Sequence, residues 1–160
     1  MRDRPPRRPA STATPRPAAP SEHDEQAALF RWARAIERQR PELALLFAIP
    51  NGGARDARTA AKMKAEGVRP GVPDVCLPVA RTGQDGARYG ALWLELKRPR
   101  ASTLFGTRRA GSLSPMQRGW LRALAAEGQA VAVVYGFDEA TRAVLDYLDG
   151  RHGPPDLALV

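Results

Sequence analysis

Residues 92–97, Leu-Trp-Leu-Glu-Leu-Lys, constrain the fold more than any other stretch of the chain. Leu92, Leu94 and Leu96 alternate with Trp93, Glu95 and Lys97, and residues two apart in a strand share a face. One face of this strand is therefore plain core. The other carries a carboxylate and an ammonium side by side in a strongly apolar segment. Such a pair is either an ion pair on an edge strand or part of a site, and its surroundings decide which.

Those surroundings read as a mixed α/β sandwich. Ser21 is a good N-cap with Asp24 three residues on, so a helix is expected from there to about Gln39, before Pro41. Residues 43–50, Leu-Ala-Leu-Leu-Phe-Ala-Ile-Pro, read as a strand ended by the Pro50-Asn51-Gly52-Gly53 loop signal. A short helix over 56–66 stops at Gly67. Residues 74–80 form a second strand, joined to the Glu95 strand through a glycine-rich turn near Gly83 and Gly86. Residues 98–113 read as a basic loop containing glycine and serine. Ser114-Pro115 starts a helix closed by Gly128. Ala130–Tyr135, apolar on both faces, reads as a central strand covered on two sides, followed by a helix from about Asp138 to Leu148.

At 160 residues the chain has the length of one domain, with room for a core without disulfides or structural metal. The single Cys76 lies in an apolar run, forms no internal disulfide and reads as a small core residue. Residues 1–20 hold six of the fifteen prolines and no large aliphatic residue, so they are expected to be a disordered basic leader. The ordered domain spans 21–149, and 150–160 is a loose tail. Net charge is +8, half of it in the leader, where five arginines face Asp3. That balance suits a polyanionic partner, and an arginine-rich codon usage would produce it equally well. No apolar run is long enough to cross a bilayer and the N-terminus lacks a signal-peptide core, which points to a cytoplasmic protein with no membrane partner.

Asp74 follows a Gly-Val-Pro turn at the entry to the second strand. If strands two and three pair as a hairpin, Asp74 and Glu95 meet at one end of the sheet. Two carboxylates with waters and backbone carbonyls suit a hard divalent ion. Lys97, on the same face as Glu95, would then orient an attacking water or neutralise a developing phosphate charge. The first helix offers a third acid. At about 100° per residue, Glu22 and Gln26 extend the Leu29–Phe30–Trp32–Ala33–Ile36 stripe, while Glu25, the rival acid, falls nearer its margin. Gln117 stands three residues after Ser114, where it completes a capping box, points into the cleft, or both.

Five blocks, Glu-His-Asp-Glu-Gln-Ala-Ala-Leu-Phe-Arg-Trp-Ala, Ile-Pro-Asn-Gly-Gly, Lys-Ala-Glu-Gly-Val-Arg-Pro-Gly-Val-Pro-Asp-Val, Leu-Trp-Leu-Glu-Leu-Lys-Arg-Pro and the segment 113–140, together resemble the VRR-NUC (virus-type replication-repair nuclease) domain of the PD-(D/E)xK nuclease superfamily. The resemblance covers about residues 21–149 and is closest to the short, stand-alone phage and bacterial type. It implies a restriction-endonuclease-like mixed sheet of about four strands flanked by helices. It implies that Asp74 and Glu95 bind metal, with the Leu96 carbonyl and Glu22 as further ligands, and that Lys97 is catalytic with Gln117 beside it. It further implies Mg²⁺ or Mn²⁺ dependence, a homodimer, and cleavage of branched DNA such as four-way (Holliday) junctions, as in DNA repair.

Two other readings compete: a catalytically weak nucleic-acid-binding module, and a restriction-type endonuclease acting on plain duplex. The first usually lacks one of the acid, acid, lysine set, and all three are present. The second needs recognition elements for which 160 residues leave little room. In the basic loop, Arg98, Arg100, Arg108 and Arg109 are expected to hold phosphates, with Phe105 as a wedge or stacking group at an unpaired base. The alternative is a basic surface loop whose Leu104-Phe105 pair tucks onto the core or a dimer mate.

Overall fold

The computed structural model describes residues 20–50, 57–99, 101–103, 106–108 and 110–154, by backbone alone at 57, 60, 101–103 and 106–108. The leader over 1–19, Phe105, Arg100, Arg109 and the side chain of Arg108 lie outside the described residues. In chain order the elements are α1 (Glu22–Ile36), a 3-10 turn (Pro41–Leu45), β1 (Phe47–Ala48), α2 (Ala57–Ala65), β2 (Val75–Leu77), β3 (Arg81–Thr82), β4 (Arg88–Tyr89), β5 (Leu92–Lys97), β6 (Ala101–Thr103), β7 (Gly106–Arg108), α3 (Pro115–Ala126), β8 (Ala130–Tyr135) and α4 (Phe137–Leu148).

A four-stranded mixed sheet in the order β1-β2-β5-β8 carries the fold. β2 runs antiparallel to β5 with Val75 opposite Leu94, as a hairpin arrangement requires. β5 and β8 are parallel from Leu92–Ala130 to Lys97–Tyr135, so the chain between them crosses over the sheet through α3. The alternation in β5 divides the two faces as expected. Leu92, Leu94 and Leu96 join the main core with Leu29 and Ala33 of α1 and Ala140, Val144 and Tyr147 of α4. Trp93 faces the other way, onto Leu121 of α3 and Val131.

Three expectations are corrected. Residues 43–50 are not one strand. Pro41 starts a 3-10 turn, in which residues three apart align, and Leu43 and Leu46 are the buried pair while Leu45 and Phe47 stay exposed. Only Phe47–Ala48 pairs with the sheet, opposite Cys76 and Val75. β8 is not central: among the described residues it pairs with β5 alone, and its apolar character comes from α3 and α4 covering its two faces. Finally, the basic loop contains a two-stranded hairpin, β6–β7, with Ala101 opposite Arg108. Its Ala-Ser-Thr and Gly-Thr-Arg strands lack the apolar alternation that announces a strand from sequence.

Helix starts are set locally. Ser21 and Asp24 form a reciprocal capping box on α1, and Ser114 and Gln117 form another on α3. Gly71 adopts φ +86°, and a Cβ there would stand 2.8 Å from the Met116 Cβ. Only glycine lets this turn, two residues before Pro73-Asp74, press against the first turn of α3.

Candidate active site at the end of β5

The register of the β2–β5 hairpin sets the site. Val75 is opposite Leu94, so Asp74, just before β2, comes alongside the Glu95–Leu96 step as the ladder ends. The Leu96 amide, which no longer has a strand partner on that side, donates to Asp74 Oδ2 at 2.9 Å. A strand residue sends its N–H and C=O to the same edge, so the Leu96 carbonyl also leaves β5 toward Asp74. Glu95 is fully buried and Lys97 is 6% exposed. Lys97 Nζ lies 2.7 Å from Glu95 Oε1. Gln117 Nε2 donates to the same oxygen. The Gln117 side-chain oxygen meanwhile accepts from the Ser114 amide at 2.9 Å, so this residue both caps α3 and reaches the site.

The edge ion pair is thereby excluded: Glu95 and Lys97 lie on the sheet's inner strand, beneath α3. Burial, reinforced by the nearby charge of Asp74, pushes the Glu95 carboxyl up to about 7, with Lys97 opposing. Burial also raises Asp74, against the Leu96 amide and Lys97, and the charge of Glu22 adds to the rise. Two buried acids, both harder to ionise than in water and one of them raised further by its neighbour's charge, are what a cation would relieve.

Glu22 and Glu25 are separated cleanly. Glu22 lines a cavity of about 490 Å³ together with Asp74, Leu96, His23 and Gln26. It is exposed, and its Oε1 accepts from the Arg98 amide at 3.2 Å. Glu25 turns away and accepts from the Phe137 amide at 2.7 Å, capping α4. Arg98 is half-buried beside the site, with its Nε buried and unpartnered.

Gly111, in the basic segment after β5, also reaches the site. Its amide donates to the Arg98 carbonyl at 3.1 Å. A Cβ on it would come within 2.8 Å of Glu22 Oε1 and 3.0 Å of Lys97 Cδ. The backbone here therefore closes directly over Lys97 and Glu22, and glycine inside a basic segment was the only available hint.

The donor set fits a small hard cation. Glu95 Oε2 is buried without a hydrogen-bond partner, an arrangement that costs on the order of 1–3 kcal/mol unless something else meets it. Asp74 and the Leu96 carbonyl adjoin it. Among the described residues no three His, Cys, Asp or Glu side chains converge closely enough to form a complete protein cage. Two carboxylates and a carbonyl, with water for the remainder, match Mg²⁺, which keeps several of its waters.

The sequence matches the VRR-NUC domain over residues 14–138. A solved structure, a "VRR_NUC domain protein", superposes with a TM-score of 0.62 at 23% identity, covering 86% of this chain and 99% of that one. At that identity the likeness is one of fold. No curated protein matches the sequence.

Proposed function

The chain belongs to the VRR-NUC family of nuclease-type domains, and on that premise we propose that it is a divalent-metal-dependent DNA endonuclease selective for branched DNA. The observation that carries this reading is the buried Glu95 beside Asp74, with one carboxylate oxygen held by Lys97 and Gln117 and the other unpartnered. Asp74, Glu95 and the Leu96 carbonyl would hold Mg²⁺ or Mn²⁺, with Glu22 on the far wall of the same cavity as a further ligand, directly or through water. The ion would supply charge neutralisation at the scissile phosphate and a more acidic attacking water. Lys97 supplies a fixed ammonium at the site, positioned to orient that water or to balance charge developing on the phosphate. Gln117 holds Glu95 in place while its own amide oxygen is anchored by Ser114, so the carboxylate cannot swing to meet Lys97 with both oxygens. Gly111 keeps solvent off Lys97.

Branched-DNA selectivity and a homodimer extend this reading. Two copies related by a two-fold axis would present two such sites to the pseudo-symmetric arms of a four-way junction. Arg98, at the exit of β5, would meet a phosphate, as would Arg100, Arg108 and Arg109 further along the same sequence segment, with Phe105 as the wedge or stacking group. The test is a cleavage panel of junction, flap and duplex DNA in Mg²⁺, Mn²⁺, Ca²⁺ and excess EDTA, with light scattering on the free and junction-bound protein. Cutting in Mg²⁺ and Mn²⁺, with binding but little turnover in Ca²⁺, is expected. Undiminished cutting in EDTA overturns the metal, equal rates on all three DNAs overturn the selectivity, and a monomer in both states overturns the dimer.

A further inference from the structure

The cavity at Asp74 does not end at α1. A second cavity of about 460 Å³ adjoins it and shares His23, Gln26 and Ala48 with it, then continues along the helix to Phe30, Arg31 and Arg34. His23, Ala27, Arg31 and Arg34 follow one another at steps of three or four residues, which puts them on a single stripe beside the buried one. The core-packed Phe30 makes the floor. Both arginines are exposed, and no carboxylate lines this second stretch. Asp24, the nearby acid that feels both His23 and Arg31, is turned into the Ser21 capping box with its Oδ2 2.9 Å from the Ser21 amide. Among the described residues neither arginine is in an ion pair. A continuous trough thus runs from the candidate site along α1, negative at the catalytic end and positive beyond it.

We infer that this trough is a binding track for the phosphodiester backbone of one DNA strand flanking the scissile phosphate, with Arg31 and Arg34 as phosphate contacts. The inference rests on the nuclease reading of the Asp74–Glu95 site. At about 1.5 Å per residue, Arg31 and Arg34 lie about 12 and 16 Å along the helix from His23. Measured along the trough, the two arginines meet the backbone a few nucleotides to one side of the site. Such contacts fix register without reading bases. The sign change along the trough also gives a strand a reason to lie there: the acids alone would repel it, and the arginines hold it while the acid end is neutralised by its cation.

The experiment compares wild type with Arg31→Ala/Arg34→Ala, Arg31→Lys/Arg34→Lys and a control, Arg142→Ala, exposed on α4 outside the trough. Fluorescein-labelled junction and duplex DNA are titrated over a range of salt, and phosphate-ethylation interference is mapped relative to the cut. The double alanine variant should bind at least about tenfold more weakly, with a salt slope shallower by about 2, since each lost phosphate contact removes about 0.9. It should raise KM for DNA more than it lowers kcat, and lose interference only at a pair of phosphates a few nucleotides to one side of the cut. The lysine pair should keep the wild-type slope, and Arg142→Ala should change nothing. If wild type cuts DNA in Mg²⁺ and the double alanine variant keeps its slope and interference pattern, the track is wrong and the nuclease reading stands. If wild type neither binds nor cuts any of the DNAs, the nuclease reading has failed and the track fails with it.

Discussion

Glu95 meets conflicting demands in a dry interior: one oxygen is satisfied twice, the other not at all. Its carboxyl is pushed up to about 7 from an ordinary value of 4.5, first by burial and then by Asp74. The folded, metal-free protein therefore takes up a proton between those values, so this group's contribution to stability falls as pH rises from 4.5 through 7. A divalent ion held there would bind the ionised form and reverse that trend. Mn²⁺ at a hundredfold excess over its Kd should raise Tm by about 5–10 °C at pH 8 and much less at pH 5.5. Scanning fluorimetry with Mn²⁺ or EDTA checks this, and Asp74→Asn should lose the pH 8 shift. Equal shifts at the two pH values would contradict the assignment. In single-turnover cleavage, Asp74→Asn and Glu95→Gln should leave no measurable product, while Lys97→Ala should slow cutting by about 100- to 1,000-fold. A Lys97→Ala rate equal to wild type would return that residue to a purely structural ion pair. The meeting of these three side chains was legible in the sequence because charge in an apolar strand is conspicuous, the strand period puts Glu95 and Lys97 on one face, and a hairpin brings Asp74 alongside. The unpartnered oxygen and the Gly111 contact were not, since both depend on where chain distant in sequence comes to lie.

At the scale of elements, α1 sorts its acids by angle. Glu22 continues the stripe that faces the sheet and reaches the cavity, whereas Glu25 lies off it and caps α4 from 112 residues away. The periodicity of α1 was readable, but nothing near Glu25 announces Phe137 as its partner. Gly136, the N-cap of α4, has φ +87° and no side chain to serve that helix start, so Glu25 provides the acceptor. Glu25→Ala should cost about 1 kcal/mol in urea unfolding and leave metal-dependent cutting in place. Glu22→Ala should do the reverse, lowering the cutting rate with little change in the urea midpoint. A Glu25→Ala enzyme that folds at wild-type stability but no longer cuts would exchange the two roles. The elements that sequence misplaced lack an unambiguous pattern, each for its own reason. Residues 43–48 are apolar without a break, so no period separates strand from turn; β6–β7 has almost no apolar residue to show one; and β8 looks central because helices cover what neighbouring strands would otherwise cover.

At the scale of the whole molecule, the chain closes on itself through His152, well away from the acids. Its ring sits between Tyr147 and Tyr89, with centroids 4.6 and 4.9 Å away, and its backbone carbonyl accepts from Gln84 at 2.9 Å. Tyr147 in turn donates to the Val79 carbonyl at 2.6 Å, so α4, the β3–β4 hairpin and the chain after α4 share one aromatic cluster. Sequence reading assigned 150–160 to a loose tail, and His152 shows that its first residues are packed. A lone histidine beside Gly153 and Pro154 gives no periodic signal of that. Burial lowers the pKa of His152 below its ordinary 6.5, and Asp85 only partly opposes this. The unfolded chain therefore binds a proton here before the folded one does. The stabilisation is complete above pH 6.5 and is lost progressively as pH falls below it, opposite in sign to the contribution of Glu95. His152→Phe keeps a ring between the tyrosines and removes the titration. In EDTA, the Tm of wild type should drop relative to that of His152→Phe as pH goes from 7.5 to 5, with the two curves parallel above 7.5. Curves that stay parallel throughout would assign the acid limb to carboxylates that folding makes more acidic, such as Asp24 and Asp85, and leave His152 a packing residue only.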